Sequence, residues 1–331
     1  MSTKTRRLTY SLAINEAFHQ MMSLDESVIL IGQGVKSPWY VGNTAQGLIK
    51  KFGAERIIDT PVSENSMTGA AVGAALAGMR AVVVHPRMDF MLYAFDPIVN
   101  EAANWSYMSG GKASVPVVFW GVINRGGEQG AQHSQALHAM FSHAPGLKVV
   151  MPSTPYDAKG LMVAAIKDDN PVVFVDDRWL YDTEGVVPEE LYSIAIGEGV
   201  IRKEGKDVTL IASSFMVGES LKAVSELAKY DIDAEVLDLR TVKPLDVGMI
   251  LKSVEKTGRA VVVDSGWKTC GLAAEVSAII AENDIRILKS PIRRITLPDI
   301  PAPAGRSLES NYYIKHPGIV DAVVKLVGAQ V

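Results

Sequence analysis

The chain has 331 residues, of which 48% are hydrophobic and 21% are charged, and its formal net charge is −4. This composition is typical of a globular protein with about two domains. The slightly negative charge gives no reason to expect a nucleic-acid partner. The single cysteine, Cys270, excludes a disulfide within the chain and indicates a reducing compartment. We expect Cys270 to serve as a small apolar side chain that is buried in the core.

Targeting and membrane signals are not evident. Residues 1–7 are polar and basic and lack the apolar core of a signal peptide. The apolar runs 70–79 and 81–84 are interrupted by Arg80 and are too short to span a bilayer. We therefore expect a cytoplasmic protein with no membrane partner.

The first part of the chain alternates short β-branched runs with longer segments of helical period. The runs are apolar on both faces, which is typical of a parallel sheet covered by helices. Strands are predicted at 28–31, 81–84, 115–119, 148–151 and 172–175. Helices are predicted at 10–24, 44–52, 67–77, 95–107 and 155–168.

The second part of the chain predicts another α/β domain. An acidic stretch at 181–206 that contains Pro188 indicates a connection. We predict a first domain at 1–185, a linker at 186–206 and a second domain at 207–331. Its strands are expected at 208–212, 234–239, 260–264 and 292–296, and its helices at 217–230, 245–256, 272–282 and from 318. Prolines 298, 301 and 303 predict an extended arm before the last helix.

Glu64 precedes a predicted helix rich in small side chains, which permit close approach by another backbone. A carboxylate at this end of a helix is favoured by the helix dipole. Glu64 is therefore either a capping acid on a packed helix or a functional carboxylate.

A glycine-rich segment, 126–135, follows the predicted strand 115–119 and contains His133. Open α/β sheets bind ligands at the carboxyl ends of their strands, and loops there often carry function. A histidine in such a loop can move a proton near neutral pH, although a surface histidine is the plainer interpretation.

Six short sequence motifs occur along the chain in the same order as in a known family. They lie at 56–61 with Glu64, 130–135, 145–150, 157–161, 168–172 and 239–246. Together they resemble the beta subunits of pyruvate, branched-chain 2-oxo acid and acetoin dehydrogenases, which are relatives of transketolase. The resemblance implies a pyrimidine-binding domain followed by a transketolase C-terminal domain, with thiamine diphosphate as cofactor.

The resemblance also implies roles for individual residues. Glu64 matches the glutamate that hydrogen-bonds the aminopyrimidine ring, and Phe90 matches the aromatic residue packed on that ring. Asp89 and Gln33 fall beside the cofactor, and His133 matches a histidine on the substrate side. Without the resemblance, Phe90 is equally well a core aromatic.

A potassium site in some members of the family corresponds to Ala165, Asp168 and Asn170, although Asp-Asp-Asn-Pro is also an ordinary turn. The family's diphosphate-and-magnesium signature, Gly-Asp-Gly followed by paired asparagines, is absent from the sequence. The resemblance therefore implies an alpha subunit that holds the diphosphate and magnesium, in an α2β2 assembly.

The chain departs from the family at several positions. Gln33 stands where an acid usually links two active sites, and Trp120 replaces a commonly basic residue. Arg87, Arg125 and Arg178 add guanidinium groups. If they converge, they would suit a phosphorylated or doubly anionic substrate; otherwise they are surface arginines paired with nearby acids.

Three hypotheses about function follow. The leading one is decarboxylation of a 2-oxo acid, with transfer of the acyl group to a lipoyl-bearing acyltransferase. The alternative is transfer of the cofactor-bound carbanion to an aldehyde or sugar, as in a split transketolase or an acyloin-forming enzyme. The third is a non-catalytic scaffold subunit, against which the presence of both Glu64 and His133 argues.

Overall fold

The computed structural model describes residues 6–37 and 41–328. The chain divides into two compact units, the first containing Met1–Arg125 and Met140–Ile196, the second Gly126–Ala139 and Gly197–Val331. The glycine-rich segment therefore groups with the second unit, although it follows a strand of the first.

The first unit is a helix-covered parallel sheet with a small antiparallel strand pair. Its strands are β1 (Arg7–Thr9), β2 (Val28–Gly32), β3 (Ile57–Asp59), β4 (Arg80–His85), β5 (Val117–Ile123), β6 (Lys148–Val150), β7 (Val172–Asp177) and β8 (Glu184–Val186). The parallel strands pair in the order β6-β7-β5-β4-β2-β3, and β1 pairs with β8. Every residue of β2, β5 and β7 is buried, as expected for apolar strands covered on both faces.

Helices connect these strands. They are α1 (Tyr10–Leu24), α2 (Leu48–Phe52), α3 (Glu64–Leu76), α4 (Ala103–Met108), α5 (His138–His143), whose first two residues belong to the second unit, and α6 (Pro155–Lys167). Met88–Ala94 and Arg178–Leu180 are 3₁₀ helices, and Asp96–Ala102 is a π-helix.

Two helices of the first unit begin at other residues than predicted. Helix α2 begins at Leu48 rather than at residue 44, because Asn43 and Gly47 have φ values of 70° and 77°, which no right-handed helix allows. Helix α3 begins at Glu64 rather than at Met67, so Glu64 lies inside its first turn and not outside the helix.

The second unit is also built from a mostly parallel sheet and helices. Its strands are β9 (Val200–Lys203), β10 (Val208–Ala212), β11 (Ala234–Asp238), β12 (Thr241–Lys243), β13 (Ala260–Trp267) and β14 (Arg293–Leu297). Its sheet has the order β14-β13-β10-β11-β9, in which only β9 is antiparallel to its neighbour. The helices are α7 (Phe215–Leu227), α8 (Val247–Thr257), α9 (Leu272–Asp284), α10 (Arg306–Tyr312) and α11 (His316–Val327), with 3₁₀ turns at Ala228–Tyr230 and Ile285–Ile287.

Some features of this unit differ from the predictions. Strand β9 lies within the stretch 181–206 that we interpreted as a connection, and α10 lies between the proline-rich arm and the last helix. Cys270 is exposed, so the expectation that it is buried was wrong. It has a φ of 53° in the turn between β13 and α9. Across residues 6–37 and 41–328, no helix combines the length and the apolar character needed to cross a bilayer.

Candidate active site

Glu64 is the first residue of α3, and its side chain is half-buried. The preceding residue, Ser63, makes no side-chain hydrogen bond to the helix, so Glu64 is the acidic group at the positive end of the helix dipole. Farther along α3, Gly69 and Gly73 are exposed, and an added Cβ at either would meet no atom within 4 Å. The face of α3 that carries Gly69 and Gly73 is therefore open to another group.

Helix α3 is attached to the sheet by a buried polar contact. Thr68 Oγ1 lies 3.2 Å from His85 Nε2 at the end of β4. Burial lowers the pKa of His85 to about 3, so this histidine is neutral near pH 7. Asn65 Nδ2 also donates to the Tyr93 carbonyl at 3.3 Å. These contacts hold in place the helix that carries Glu64.

Gln33 directly follows β2, and its Oε1 is buried with no hydrogen-bond partner among the residues that the structure describes. On the neighbouring strand β3, Asp59 Oδ1 accepts a hydrogen bond from Gly34 N at 2.5 Å. A buried acceptor without a donor is costly, so Gln33 fits a place where a ligand or partner group donates.

Asp89 and Phe90 lie in the 3₁₀ helix that follows β4. Asp89 is buried and Phe90 is half-buried. Because β2 and β4 are parallel neighbours, Asp89 and Phe90 follow the carboxyl end of β4 at the same edge of the sheet as Gln33. The residues expected beside the cofactor are thus assembled at the carboxyl edge of one sheet.

The three arginines do not converge on one point. Arg125 is buried, forms an ion pair with Asp177, and has its guanidinium 5.1 Å from the centre of the Trp179 ring. Arg87 and Arg178 line a common cavity of about 230 Å³. The pairing of Arg125 with a nearby acid matches the plainer interpretation, whereas Arg87 and Arg178 are brought together.

In the segment predicted as a potassium site, 165–170, the oxygens of Ala165 and Asp168 already bind groups of the protein. The Asp168 carbonyl accepts a hydrogen bond from Arg80 Nη1 at 3.1 Å, and the Asp168 carboxylate pairs with Lys148. Its Oδ1 accepts from Asn170 N at 2.9 Å, and the Ala165 carbonyl accepts from Asp168 N at 3.3 Å. Any cation bound here shares these oxygens with protein donors.

His133 belongs to the second unit and is half-buried. The loop before it has left-handed backbone at Gly126, Gly127, Glu128 and Gly130, with φ values between 64° and 80°. That conformation accounts for its glycines. Glu128 N donates to the buried side chain of Glu309 at 3.0 Å, which fastens the loop to α10.

A second histidine of the same segment, His138, is fully buried. Its Nε2 lies 2.9 Å from Asp264 Oδ1, and Asp264 is fully buried as well. Burial alone would raise the pKa of Asp264, but the charge and hydrogen bond of His138, with the Gly266 and Ala273 backbone N–H groups, hold it below its usual range. Neither residue of this pair was predicted as a site residue from the sequence.

Within residues 6–37 and 41–328, no group of histidine, cysteine, aspartate and glutamate side chains is arranged to hold a metal ion.

Two domain families match the chain. Residues 6–183 match the transketolase pyrimidine binding domain, and residues 197–319 match the transketolase C-terminal domain. The chain is 45% identical over 317 residues to the acetoin:2,6-dichlorophenolindophenol oxidoreductase subunit beta of Cupriavidus necator, covering 93% of this chain and 94% of that protein. It is 40% identical over 320 residues to the pyruvate dehydrogenase E1 component subunit beta of Rickettsia felis, covering 97% and 98%.

The chain belongs to the E1 beta family of 2-oxo acid dehydrogenases. This confirms the resemblance and the two-domain α/β fold predicted from the sequence. A solved structure described as a split gene transketolase, inactive beta4 tetramer, has the same fold, with a TM-score of 0.78 at 21% identity over 98% of this chain and 99% of that one. Membership of the E1 beta family implies thiamine diphosphate chemistry and an alpha subunit partner.

Sequence reasoning did not find the residues that hold the segment carrying His133. His138, Asp264 and Glu309 carry no motif, and their partners are distant in sequence. The one available signal was the placement of Asp264 at the end of an apolar run, where parallel strands present functional side chains.

Proposed function

We propose that this chain forms the pyrimidine-binding half of a thiamine-diphosphate site and that, with an alpha subunit, it decarboxylates a 2-oxo acid. The acyl group then passes to a lipoyl group carried by an acyltransferase. The observation that carries this proposal is the position of Glu64. Glu64 is the first residue of α3, at the positive end of the helix dipole, in a chain that belongs to the E1 beta family.

Thiamine diphosphate, when bound, supplies the nucleophilic carbon and the electron sink that decarboxylation requires. Glu64 would hold a hydrogen bond at the ring nitrogen of the aminopyrimidine and so set where the ring carries its proton. Phe90 would pack against the ring, and the buried Oε1 of Gln33, which has no partner in the described part of the chain, would accept a hydrogen bond. Asp89 lies beside them on the segment after β4.

His133 acts on the substrate side in this proposal. A neutral imidazole can accept a proton and its protonated form can donate one near pH 7, which suits a group that stabilises developing negative charge. The left-handed loop 126–130 and the Glu309 contact hold the segment that carries it. Gln33 cannot carry a proton as a carboxylate does, so the proposal includes no proton relay through position 33.

The alpha subunit completes the site. The sequence has no Gly-Asp-Gly signature with paired asparagines, and no metal cluster occurs in the described part of the chain. We therefore assign the diphosphate and magnesium to the alpha subunit, in an α2β2 assembly. Potassium at Ala165, Asp168 and Asn170 stays a prediction, because Arg80 and Lys148 already bind oxygens there.

The proposal is tested by co-expressing this chain with its alpha subunit and replacing Glu64 by glutamine. A charge-assisted hydrogen bond contributes about 1.5–3 kcal/mol, so Glu64→Gln is expected to weaken thiamine diphosphate binding by roughly ten- to a hundredfold. Carbon dioxide release should fall by more than binding does, because Glu64 also places the ring proton. Calorimetry measures the first quantity and carbon dioxide release from a panel of 2-oxo acids the second.

Glu55→Gln is the matched control, since Glu55 is an exposed glutamate of the same unit. Undiminished carbon dioxide release in Glu64→Gln would leave only a scaffold role for the chain. Release that requires an added aldehyde would favour the carbanion-transfer alternative over acyl transfer to a lipoyl group.

A further inference from the structure

The start of helix α3, which carries Glu64, depends on contacts with neighbouring elements. Ser63, the residue before the helix, makes no side-chain hydrogen bond to it. Gly69 and Gly73 lie inside the helix, where glycine is among the least favourable residues. Helix ends fray where nothing attaches them. The position of Glu64 is therefore set by the side chains that attach α3 to the rest of the first unit.

Thr68 is the polar residue on the buried side of α3. The other buried residues of this helix are apolar: Met67, Ala71, Val72 and Ala75. Thr68 follows Glu64 by four residues, so the two side chains lie on the same side of the helix, one turn apart. A contact at Thr68 therefore fixes the height and the rotation of the turn that begins with Glu64.

The partner of Thr68 is His85, the last residue of β4. Its Nε2 lies 3.2 Å from Thr68 Oγ1, and both side chains are fully buried. Its Nδ1 is also buried and has no hydrogen-bond partner within residues 6–37 and 41–328. A buried N–H without an acceptor is rarer than a buried acceptor without a donor. We therefore assign the proton of the neutral ring to Nε2, which donates to the Thr68 hydroxyl.

Water cannot replace this buried hydrogen bond. Asn65 Nδ2 also attaches α3, by donating to the Tyr93 carbonyl at 3.3 Å, but Asn65 is exposed. Exchange with water makes the net contribution of an exposed hydrogen bond small, whereas a buried group that loses its partner keeps the full desolvation penalty. The contact between His85 and Thr68 is therefore the stronger constraint on the first turns of α3.

We propose that His85 is a positioning residue for Glu64. Through its hydrogen bond to Thr68 it holds the first turn of α3 where the Glu64 carboxylate meets the ring nitrogen of the aminopyrimidine. A hydrogen bond weakens steeply as its angle and length depart from their preferred values, so a small shift of this turn is enough to lose it. The inference rests on the proposed function, because it concerns the carboxylate on which that function depends.

Thr68→Val tests the inference in the complete heteromer, since it keeps the shape of the side chain and removes the hydroxyl. Calorimetry should show thiamine diphosphate binding weakened about five- to tenfold, a part of the loss expected of Glu64→Gln. At saturating cofactor, kcat for carbon dioxide release should fall by about the same factor. The KM for the 2-oxo acid should stay within about twofold, because neither Thr68 nor His85 is placed to bind the substrate.

Substitutions of His85 test which ring nitrogen acts. His85→Gln places an amide N–H near the position of Nε2 and should restore most of the cofactor affinity that His85→Ile loses. His85→Asn places its amide near Nδ1, away from Thr68, and should restore none. Equal cofactor affinity in the glutamine and asparagine variants would contradict the assigned contact.

A double-mutant cycle separates positioning from a general loss of stability. Because His85 and Thr68 act through the Glu64 carboxylate, Thr68→Val should change cofactor affinity by less than about twofold in a Glu64→Gln background. Thr154→Val is the matched control, since it removes the hydroxyl that caps α6 in the same unit. It should lower the free energy of unfolding by a similar amount and leave cofactor affinity unchanged.

Three outcomes would overturn the inference and leave the proposed function standing. They are wild-type cofactor affinity in Thr68→Val, an undiminished effect of Thr68→Val in the Glu64→Gln background, and an equal loss of affinity in Thr154→Val. Unchanged cofactor binding and carbon dioxide release in Glu64→Gln itself would instead overturn the proposed function, and with it any role of His85 in placing the carboxylate.

Discussion

His138 Nε2 lies 2.9 Å from Asp264 Oδ1, and neither side chain has any solvent exposure. His138 follows His133 by five residues in the segment 126–139, while Asp264 belongs to β13. The pair therefore ties the segment that carries the proposed substrate-side histidine to the sheet of the second unit. Because both groups are buried, removal of one leaves the other without its partner in a medium of low polarity.

Replacing His138 by alanine is expected to destabilise the chain by about 3–5 kcal/mol, the usual loss when one member of a buried pair is removed. Amide hydrogen exchange in 126–139 should accelerate, since the segment loses its attachment. Chemical denaturation and exchange mass spectrometry measure the two effects. His143→Ala, an exposed histidine of the same helix, should change neither.

A double-mutant cycle isolates the interaction. The variant with both His138→Ala and Asp264→Ala should lose less stability than the two single variants added together, because the buried charge is then absent. Strict additivity would show that the pair is not coupled. The depressed pKa of Asp264 sets the direction of the pH dependence of stability. The contribution of Asp264 to the free energy of unfolding is complete above about pH 4 and is lost as the pH falls through its lower folded pKa.

Much of the fold was predictable because its signals are local. The strands β2, β4, β5 and β7 are runs of valine, isoleucine and similar residues that are buried on both faces, and such runs are visible in the sequence. The start of α2 was missed because the left-handed backbone at Asn43 and Gly47 precedes it. Strand β9 was missed because its four residues are only half-buried and show no apolar pattern.

The candidate site was predictable only in part. Glu64, Phe90 and His133 follow from phrases shared with a family, whereas the contacts that hold them are tertiary. The hydrogen bond from Glu128 N to Glu309 joins segments that are far apart in the chain. Similarly, nothing local distinguishes Arg125, which is buried in an ion pair, from Arg178, which lines a cavity.

Asp176 predicts a pH dependence of stability in the first unit. Burial raises the pKa of this aspartate to about 7, although Tyr181 Oη donates to it at 3.0 Å. The folded chain therefore binds this proton where the unfolded chain has released it, and stability falls as the pH rises from about 4 to about 7. One pKa unit corresponds to about 1.4 kcal/mol, so the total fall is at most about 4 kcal/mol.

The comparison that checks this effect is Asp176→Asn, which keeps the shape and removes the titration. The free energy of unfolding of the wild-type chain minus that of the variant should decrease between about pH 4 and pH 7 and level off above. A difference that is constant over this range would contradict the raised pKa.

The stability of the first unit is expected to depend strongly on the buried ammonium group of Lys159. Its Nζ donates to Glu16 Oε1 at 2.7 Å and to the carbonyls of Pro188 and Glu190 at 2.7 and 2.9 Å. Lys159→Met keeps most of the side-chain volume but leaves these acceptors without their donor, so we expect a loss of about 3–5 kcal/mol. Lys167→Met, on the exposed end of the same helix, should change the free energy of unfolding by less than about 0.5 kcal/mol.

Replacing Gln33 is expected to have different effects on the stability of the free chain and on cofactor binding by the complete enzyme. Its Oε1 is buried and has no partner in the described part of the chain, and an unsatisfied acceptor costs about 1–3 kcal/mol. Gln33→Leu should therefore leave the isolated chain as stable as before, or more stable. In the heteromer the same change should weaken thiamine diphosphate binding about tenfold, because a donor from the ligand side is then lost.

Gln33→Glu separates the amide from the acid that usually stands at this position. Burial disfavours a charged carboxyl, so this variant should destabilise the isolated chain, and increasingly as the pH rises above the ordinary pKa of glutamate. Denaturation at several pH values and calorimetric titration with the cofactor measure both quantities. Equal losses of stability and of cofactor affinity in Gln33→Leu would mean that the buried oxygen serves the fold of the first unit and faces no ligand.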